Sequence, residues 1–230
     1  MTTLLIATRN AHKAGEIQAI LGAQFRFLTL NDFSAAPPVI EDAPTFAGNA
    51  AKKAVELAKW LRDSSAATDN SSLFVLADDS GLEVDALNGA PGVHSARFAR
   101  SADGSSVCSA GNSPDADNNA KLLRLLKEVP LEKRTARFRC VIALVPVPEE
   151  KIESASPVCY ADEFAAQLFD GVCEGRIQLA PRGHGGFGYD PLFVPDGFAK
   201  SFAELGEDVK NKLSHRAKAL AKLKEFFNHR

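Results

Sequence analysis

The chain lacks a charge surplus, a cysteine framework and any long apolar run. Its 230 residues carry 27 Lys+Arg against 29 Asp+Glu, a formal net charge of −2. A domain that grips a nucleic-acid polymer is usually basic, so that class is disfavoured, while a local positive pocket stays compatible. The four cysteines, Cys108, Cys140, Cys159 and Cys173, include no CxxC pair, which speaks against a zinc site. A chain of this length needs no disulfide scaffold, and a reducing cytoplasm suits it. The apolar N-terminal stretch at 4–7 is too short for a signal peptide, and no run approaches the roughly 20 residues of a membrane span. No internal repeat or linker interrupts the sequence, so residues 1–230 read as one domain.

What is present is globular: 45% hydrophobic residues exclude general disorder. Residues 3–8 (TLLIAT) read as a strand, Arg9-Asn10-Ala11 as a tight turn, and 13–21 as a helix with Ile17, Ile20 and Leu21 on one face, ended by Gly22. Residues 25–30 read as a second strand and 31–44 as a loop. Thr45 starts a helix to about Arg62. The run at 73–77 reads as a buried strand that stops at Asp78 and Asp79. Further helices are expected at 116–127 and from Ser214 to about Phe227, and a central strand at 134–147. A hairpin is expected over 161–175, turning at Phe169-Asp170-Gly171, and Ser201 with Glu204 suggests a capping box. The polar, small-residue stretch 63–72 reads as an insertion, and 101–114 has the same character. Strand–turn–helix–strand order implies an α/β fold.

Four groups of residues carry chemical potential. In Thr8-Arg9-Asn10-Ala11-His12-Lys13, a turn opens a helix whose free backbone amides attract anions; a capping turn with a solvated lysine explains the same letters. Glu41, Asp78, Asp79 and Asp85 form a carboxylate set of the kind hard cations prefer. Burying carboxylates after an apolar run is costly, and adjacent strand residues face opposite ways, so one of the pair at 78–79 points to a pocket and a metal; a solvated loop acid at Glu41 and a strand-end turn at Asp79 explain the same letters. In Gly183-His184-Gly185-Gly186-Phe187-Gly188-Tyr189-Asp190-Pro191 a literal GxGxxG occurs. It is followed by strand-like residues instead of opening a helix, so the dinucleotide reading is rejected. Its glycines and aromatics suit close approach of a flat base, or else an ordinary turn with core aromatics. In Lys210-Asn211-Lys212-Leu213-Ser214-His215-Arg216, Ser214 is a good N-cap. Cations in the first turn oppose the helix dipole, which suggests a task other than stability; a solvated basic face is the alternative.

In this order the blocks resemble the Ham1/RdgB family of inosine/xanthosine triphosphate pyrophosphatases. The matching pieces are TRNAHK (8–13), EDAPTFAGNAAKKA (41–54), LADDSGLEVDALNGAPGVHSARF (76–98), GGFGYDPLFVP (185–195) and AELGEDVKNKLSHRAKAL (203–220). The resemblance implies an elongated mixed α/β fold with two lobes around a central nucleotide cleft, usually in a homodimer. It implies Mg²⁺-dependent hydrolysis of ITP, dITP and XTP to the monophosphate and pyrophosphate. By motif position, Thr8, Arg9, Asn10, Ala11, His12 and Lys13 hold the triphosphate, with Lys13 and Asp79 as the catalytic pair. Glu41 and Asp79 hold the metal. Ser80, Phe187, Gly188, Tyr189, Asp190, Lys210, His215 and Arg216 complete the nucleotide site, either Phe187 or Tyr189 stacking on the base. Arg9 departs from the pattern, since glycine is common there. A non-catalytic nucleotide-binding regulator and a Maf-type pyrophosphatase are the competing readings. The acid set disfavours the first, and the Ser-His-Arg block the second.

Overall fold

A computed structural model describes residues 1–64, 72–100, 111–147 and 165–229. The expected insertions therefore lie largely outside the described residues, as do Cys108 and Cys159.

The strands are β1 (Thr3–Ile6), β2 (Arg26–Thr29), β3 (Leu73–Val84), β4 (Thr135–Pro146), β5 (Gln167–Ile177) and β6 (Phe193–Pro195). The helices are α1 (Ala11–Leu21), α2 (Phe46–Asp63), α3 (Asp115–Leu125), α4 (Phe202–Leu205), α5 (Glu207–Leu213) and α6 (His215–Asn228). The strands form a sheet in the order β2-β1-β3-β4-β5-β6. β1 runs parallel to β2 and β3, and β5 antiparallel to β6. The fold is mixed α/β.

Local chemistry sets the element ends. Asn10 Oδ1 accepts from the amides of His12 (2.9 Å) and Lys13 (3.2 Å), so α1 begins at Ala11. The turn expected at 9–11 is thus a residue shorter, because the Asn10 side chain satisfies amides that the helix leaves open. Thr45 Oγ1 caps α2 through Gly48 N at 3.1 Å, and Phe46, Ala50, Ala54, Leu57 and Leu61 bury one stripe of it. Ser201 and Glu204 form the expected reciprocal capping box at α4.

The chain divides into two compact units. The first comprises Met1–Asp79, Val141–Phe169 and Leu220–Arg230; the second Ser80–Cys140 and Asp170–Ala219. The first unit's core joins Leu4, Leu5, Ile6, Ile17, Leu57 and Leu76, all buried, to Phe74 and Phe25, which meet Phe227 edge-on at 5.4 and 5.1 Å. The second packs Leu82, Val84, Phe98, Leu122, Phe138, Phe193 and Phe202 together.

Two expectations are corrected. The strand expected to stop at Ala77 runs on to Val84, twelve residues in all, carrying Asp78 and Asp79 in mid-strand. Their burial is offset by partners, described below, that sequence spacing does not reveal. The hairpin expected over 161–175 is absent from the described part of that stretch: β5 runs straight through Phe169-Asp170-Gly171. Gly171 serves packing. A Cβ there would collide with the His215 carbonyl oxygen and lie 2.7 Å from Ala219 N, so only glycine lets α6 lie against β5 at this point.

Candidate active site

In the first unit, the turn after β1 holds Thr8, whose Oγ1 accepts from Asn10 N at 3.0 Å. Arg9 Nη2 donates to the Ala36 carbonyl at 3.1 Å. Lys13, in the first turn of α1, ion-pairs with Asp78 at 2.6 Å. Asp79 is buried and meets a different set. Asn49 hydrogen-bonds it, and the charges of Glu41, Lys53 and Lys13 act on it. Lys53 Nζ binds Glu41 Oε1 at 2.6 Å and the Asp78 carbonyl at 3.1 Å. The two adjacent acids are thus divided, as strand alternation requires.

Burial, reinforced by the negative charge of Glu41, pushes the Asp79 carboxyl up to about 6, against the pull of Lys53, Lys13 and Asn49. A buried carboxylate repelled by a second carboxylate lies in a field that a cation would relieve. The donors are hard oxygens, so the set fits a hard divalent ion.

Sequence reading missed Asn49 and Lys53 as site residues. Both lie on α2, one turn apart. The sequence shows Asn49 only as a polar residue inside the apolar stripe of Phe46, Ala50 and Leu57; the structure buries it to 1% exposure. Its Oδ1 accepts from Ala43 N at 2.9 Å, which aims the amide nitrogen as a donor. Asp85, expected with the acids, has another role. It accepts from Thr135 at 2.7 Å and pairs with Arg137 at 3.0 Å, contacts that hold its pKa down.

In the second unit the basic block is not a solvated face. Lys210, His215 and Arg216 are all buried, Arg216 to 1% exposure. Ser214 Oγ accepts from Ala217 N at 3.1 Å and caps α6, placing His215 and Arg216 in its first turn. Arg216 Nη2 donates to Ser80 Oγ at 2.9 Å. Lys210 Nζ binds Asp190 Oδ2 at 2.6 Å and lies 4.3 Å from the Phe187 ring centroid; the Arg216 guanidinium is 5.8 Å from the same centroid. His215 stacks on Phe138 at 4.8 Å and 13°. Burying cations costs several kcal/mol each after relaxation, so this cluster is not there for stability alone.

The two candidate rings separate cleanly. Tyr189 is buried and its hydroxyl donates to the Ser95 carbonyl at 2.9 Å. Phe187 is half-buried, with two cations at its ring. The glycine loop does not open a helix and leads into β6, as the rejection of the dinucleotide motif required. Gly186, at φ +74, abuts the Asp190 side chain, which a Cβ there would strike.

The first unit therefore offers cations beside paired acids, suited to a polyphosphate. The second offers donors around an aromatic ring, suited to a base. Asp79 and Ser80, consecutive on β3, belong one to each set. Among the described residues no helix is long and apolar enough to cross a membrane.

The Ham1 family profile matches residues 4–226. A relative from Geobacter sulfurreducens named dITP/XTP pyrophosphatase is 45% identical, covering 98% of this chain and 96% of its own. One of the same name from Opitutus terrae is 42% identical over 97% of each. Among solved structures, a HAM1 protein from Coxiella burnetii is 34% identical, covers 100% of both chains and superposes with a TM-score of 0.75. The Staphylococcus aureus Ham1 protein is 30% identical over 99% of both, with a TM-score of 0.73. By sequence and fold alike, this chain belongs to the Ham1 family.

Proposed function

We propose that this protein hydrolyses non-canonical purine nucleoside triphosphates (ITP, dITP and XTP) to the monophosphate and pyrophosphate, clearing deaminated purines from the nucleotide pool. The observation that carries the reading is the succession on β3 of Asp79, raised to about 6 beside Glu41, and Ser80, bonded to a buried guanidinium. The names of relatives matched over nearly the whole chain support the same activity.

Thr8, Arg9, Asn10, Ala11, His12 and Lys13 bind the triphosphate at the start of α1, and Lys13 and Lys53 offset its charge, as phosphoryl transfer requires. Asp79 accepts the proton of the water that attacks the α-phosphorus, acting as a general base. Glu41 and Asp79 would hold Mg²⁺, which when bound would supply further charge neutralisation and lower the pKa of an attacking water. Pyrophosphate is the leaving group.

Phe187 stacks on the base, while Gly188, Tyr189 and Asp190 shape its loop and Lys210 is fixed beside it. Arginine only donates hydrogen bonds, so Arg216, with His215 and Ser80, suits the 6-oxo acceptor of hypoxanthine or xanthine and leaves the 6-amino group of adenine unmatched. Sites built on such bonds discriminate by about 10⁴. The active form is a cytoplasmic homodimer whose substrate is the free nucleotide, not a polymer or a membrane. Residues 1–230 work as one domain: every passage between the two units falls inside β3, β4, β5 or α6. A panel of ITP, XTP, dITP, GTP and ATP with Mg²⁺, scored for pyrophosphate against phosphate, tests the proposal. Release of phosphate alone, or no turnover of any 6-oxo purine, overturns it.

A further inference from the structure

We propose that Asp115 and Asn119 of α3 are positioning residues for purine recognition, gripping Gly188 so that Phe187 keeps its face toward the base. The inference rests on the site reading just given and names residues that reading does not use.

Asp115 and Asn119 stand four residues apart, so both project from one side of α3. Gly188 N donates to Asp115 Oδ2 at 2.6 Å, and Asn119 Nδ2 donates to the Gly188 carbonyl at 3.0 Å. One helix thus takes both polar groups of a single residue. Gly188 has φ +64, and a Cβ there would meet nothing within 4 Å. Glycine is needed for the backbone conformation and not for space.

The grip acts on Phe187 through its neighbours. Phe187 N donates to Asp190 Oδ2 at 2.8 Å, and the Tyr189 hydroxyl is tied to Ser95. With Gly188 held between them, the peptide planes on both sides of the ring-bearing residue are set. Residues 181–186 just before are exposed and glycine-rich, and such a loop has much conformational freedom to lose. Ordering it in advance removes that cost from substrate binding.

Stability does not explain Asn119. It is 8% exposed, and its Oδ1 is buried without a hydrogen-bond partner among the described residues. A buried, unsatisfied acceptor costs stability that an apolar residue of similar volume would not. Asp115 opens α3, where a carboxylate is favoured in any case. Asp115→Asn keeps an acceptor for Gly188 N, whereas Asp115→Ala removes it.

The test uses the full chain with Mg²⁺: kinetics on ITP and thermal melts for wild type, Asn119→Leu, Asp115→Ala and Asp115→Asn. Asn119→Leu is expected to melt at or above wild type while its KM for ITP rises about tenfold and kcat changes by less than about twofold, the pattern of lost binding without lost chemistry. Asp115→Ala raises KM in the same way, and Asp115→Asn recovers most of that loss. An unchanged KM in both Asn119→Leu and Asp115→Ala overturns the inference. So does a KM that rises only in step with a falling melting temperature, which assigns the pair to folding. If Asn119→Leu fails to fold, the Asp115 pair decides alone. Wild type that leaves ITP intact defeats the underlying function instead, and the inference with it.

Discussion

Arg216 reaches across 136 residues of sequence to donate a 2.9 Å hydrogen bond to Ser80. The bond ties the first turn of α6 to the residue that follows the acid Asp79. The guanidinium is only 1% exposed, and a cation buried at that cost suits a donor held for a ligand. Arg216→Ala is expected to lower the preference for ITP over ATP by at least about tenfold, the loss of roughly one hydrogen bond to a charged donor. Competitive turnover of the two nucleotides measures it; an unchanged ratio removes Arg216 from base selection.

Asp79→Asn keeps the shape and loses the base. Turnover is expected to fall by about 10² or more, since general base catalysis contributes on that scale. Circular dichroism should show the same fold as wild type. A variant with most of its wild-type rate in a pyrophosphate-release assay ends this assignment.

The same substitution has an opposite effect on stability. The Asp79 carboxyl is raised from 3.8 to about 6, so the fold favours its protonated form. That contribution is complete below pH 4 and is lost as pH climbs through 6. In protein stripped of divalent metal, Asp79→Asn should therefore be more stable than wild type at pH 8, by up to roughly 3 kcal/mol, and no more stable at pH 4. Urea melts at both values check it. Equal differences at the two pH values contradict the burial argument.

Lys53 restrains two acids, through Glu41 at 2.6 Å and the pull on Asp79. Lys53→Met removes the charge and keeps much of the stem. Activity is expected to drop by about tenfold or more, as loss of an electrostatic contact to a polyphosphate does. The acidic limb of the pH–rate profile should also move up, because Asp79 loses a neighbouring cation. A limb that stays in place shows that Lys53 does not act on Asp79.

Gly171→Ala tests the contact between β5 and α6. The added methyl group would sit 2.7 Å from Ala219 N, so the helix must shift. Overpacking of this kind costs about 1–3 kcal/mol. Because α6 begins with His215 and Arg216, selectivity for ITP should fall together with stability. A variant of wild-type selectivity and stability would show that the contact is slack.

Much was legible in the letters because local physics writes it there. Ser214, Thr45 and the Ser201–Glu204 pair are caps, and caps are read from spacing. TLLI at Thr3–Ile6 is apolar on both faces, the mark of an inner parallel strand. Gly171 misled because glycine has two uses. The sequence shows its missing side chain but not whether a turn or an approaching helix needs it. Asn49 and Lys53 were overlooked because a polar residue in a helix stripe acquires meaning only from what the stripe faces.

The sequence alone determined the class of fold, the family and the kinds of chemistry on offer, since periodicity, capping and motif order are local or one-dimensional. Only the tertiary structure paired Asp78 with Lys13 and set Asp79 near Glu41, put Tyr189 in the core and two cations at the Phe187 ring, and lifted the Asp79 carboxyl toward neutrality. Those outcomes depend on desolvation and on charges brought close through space, and neither quantity exists until the chain has folded.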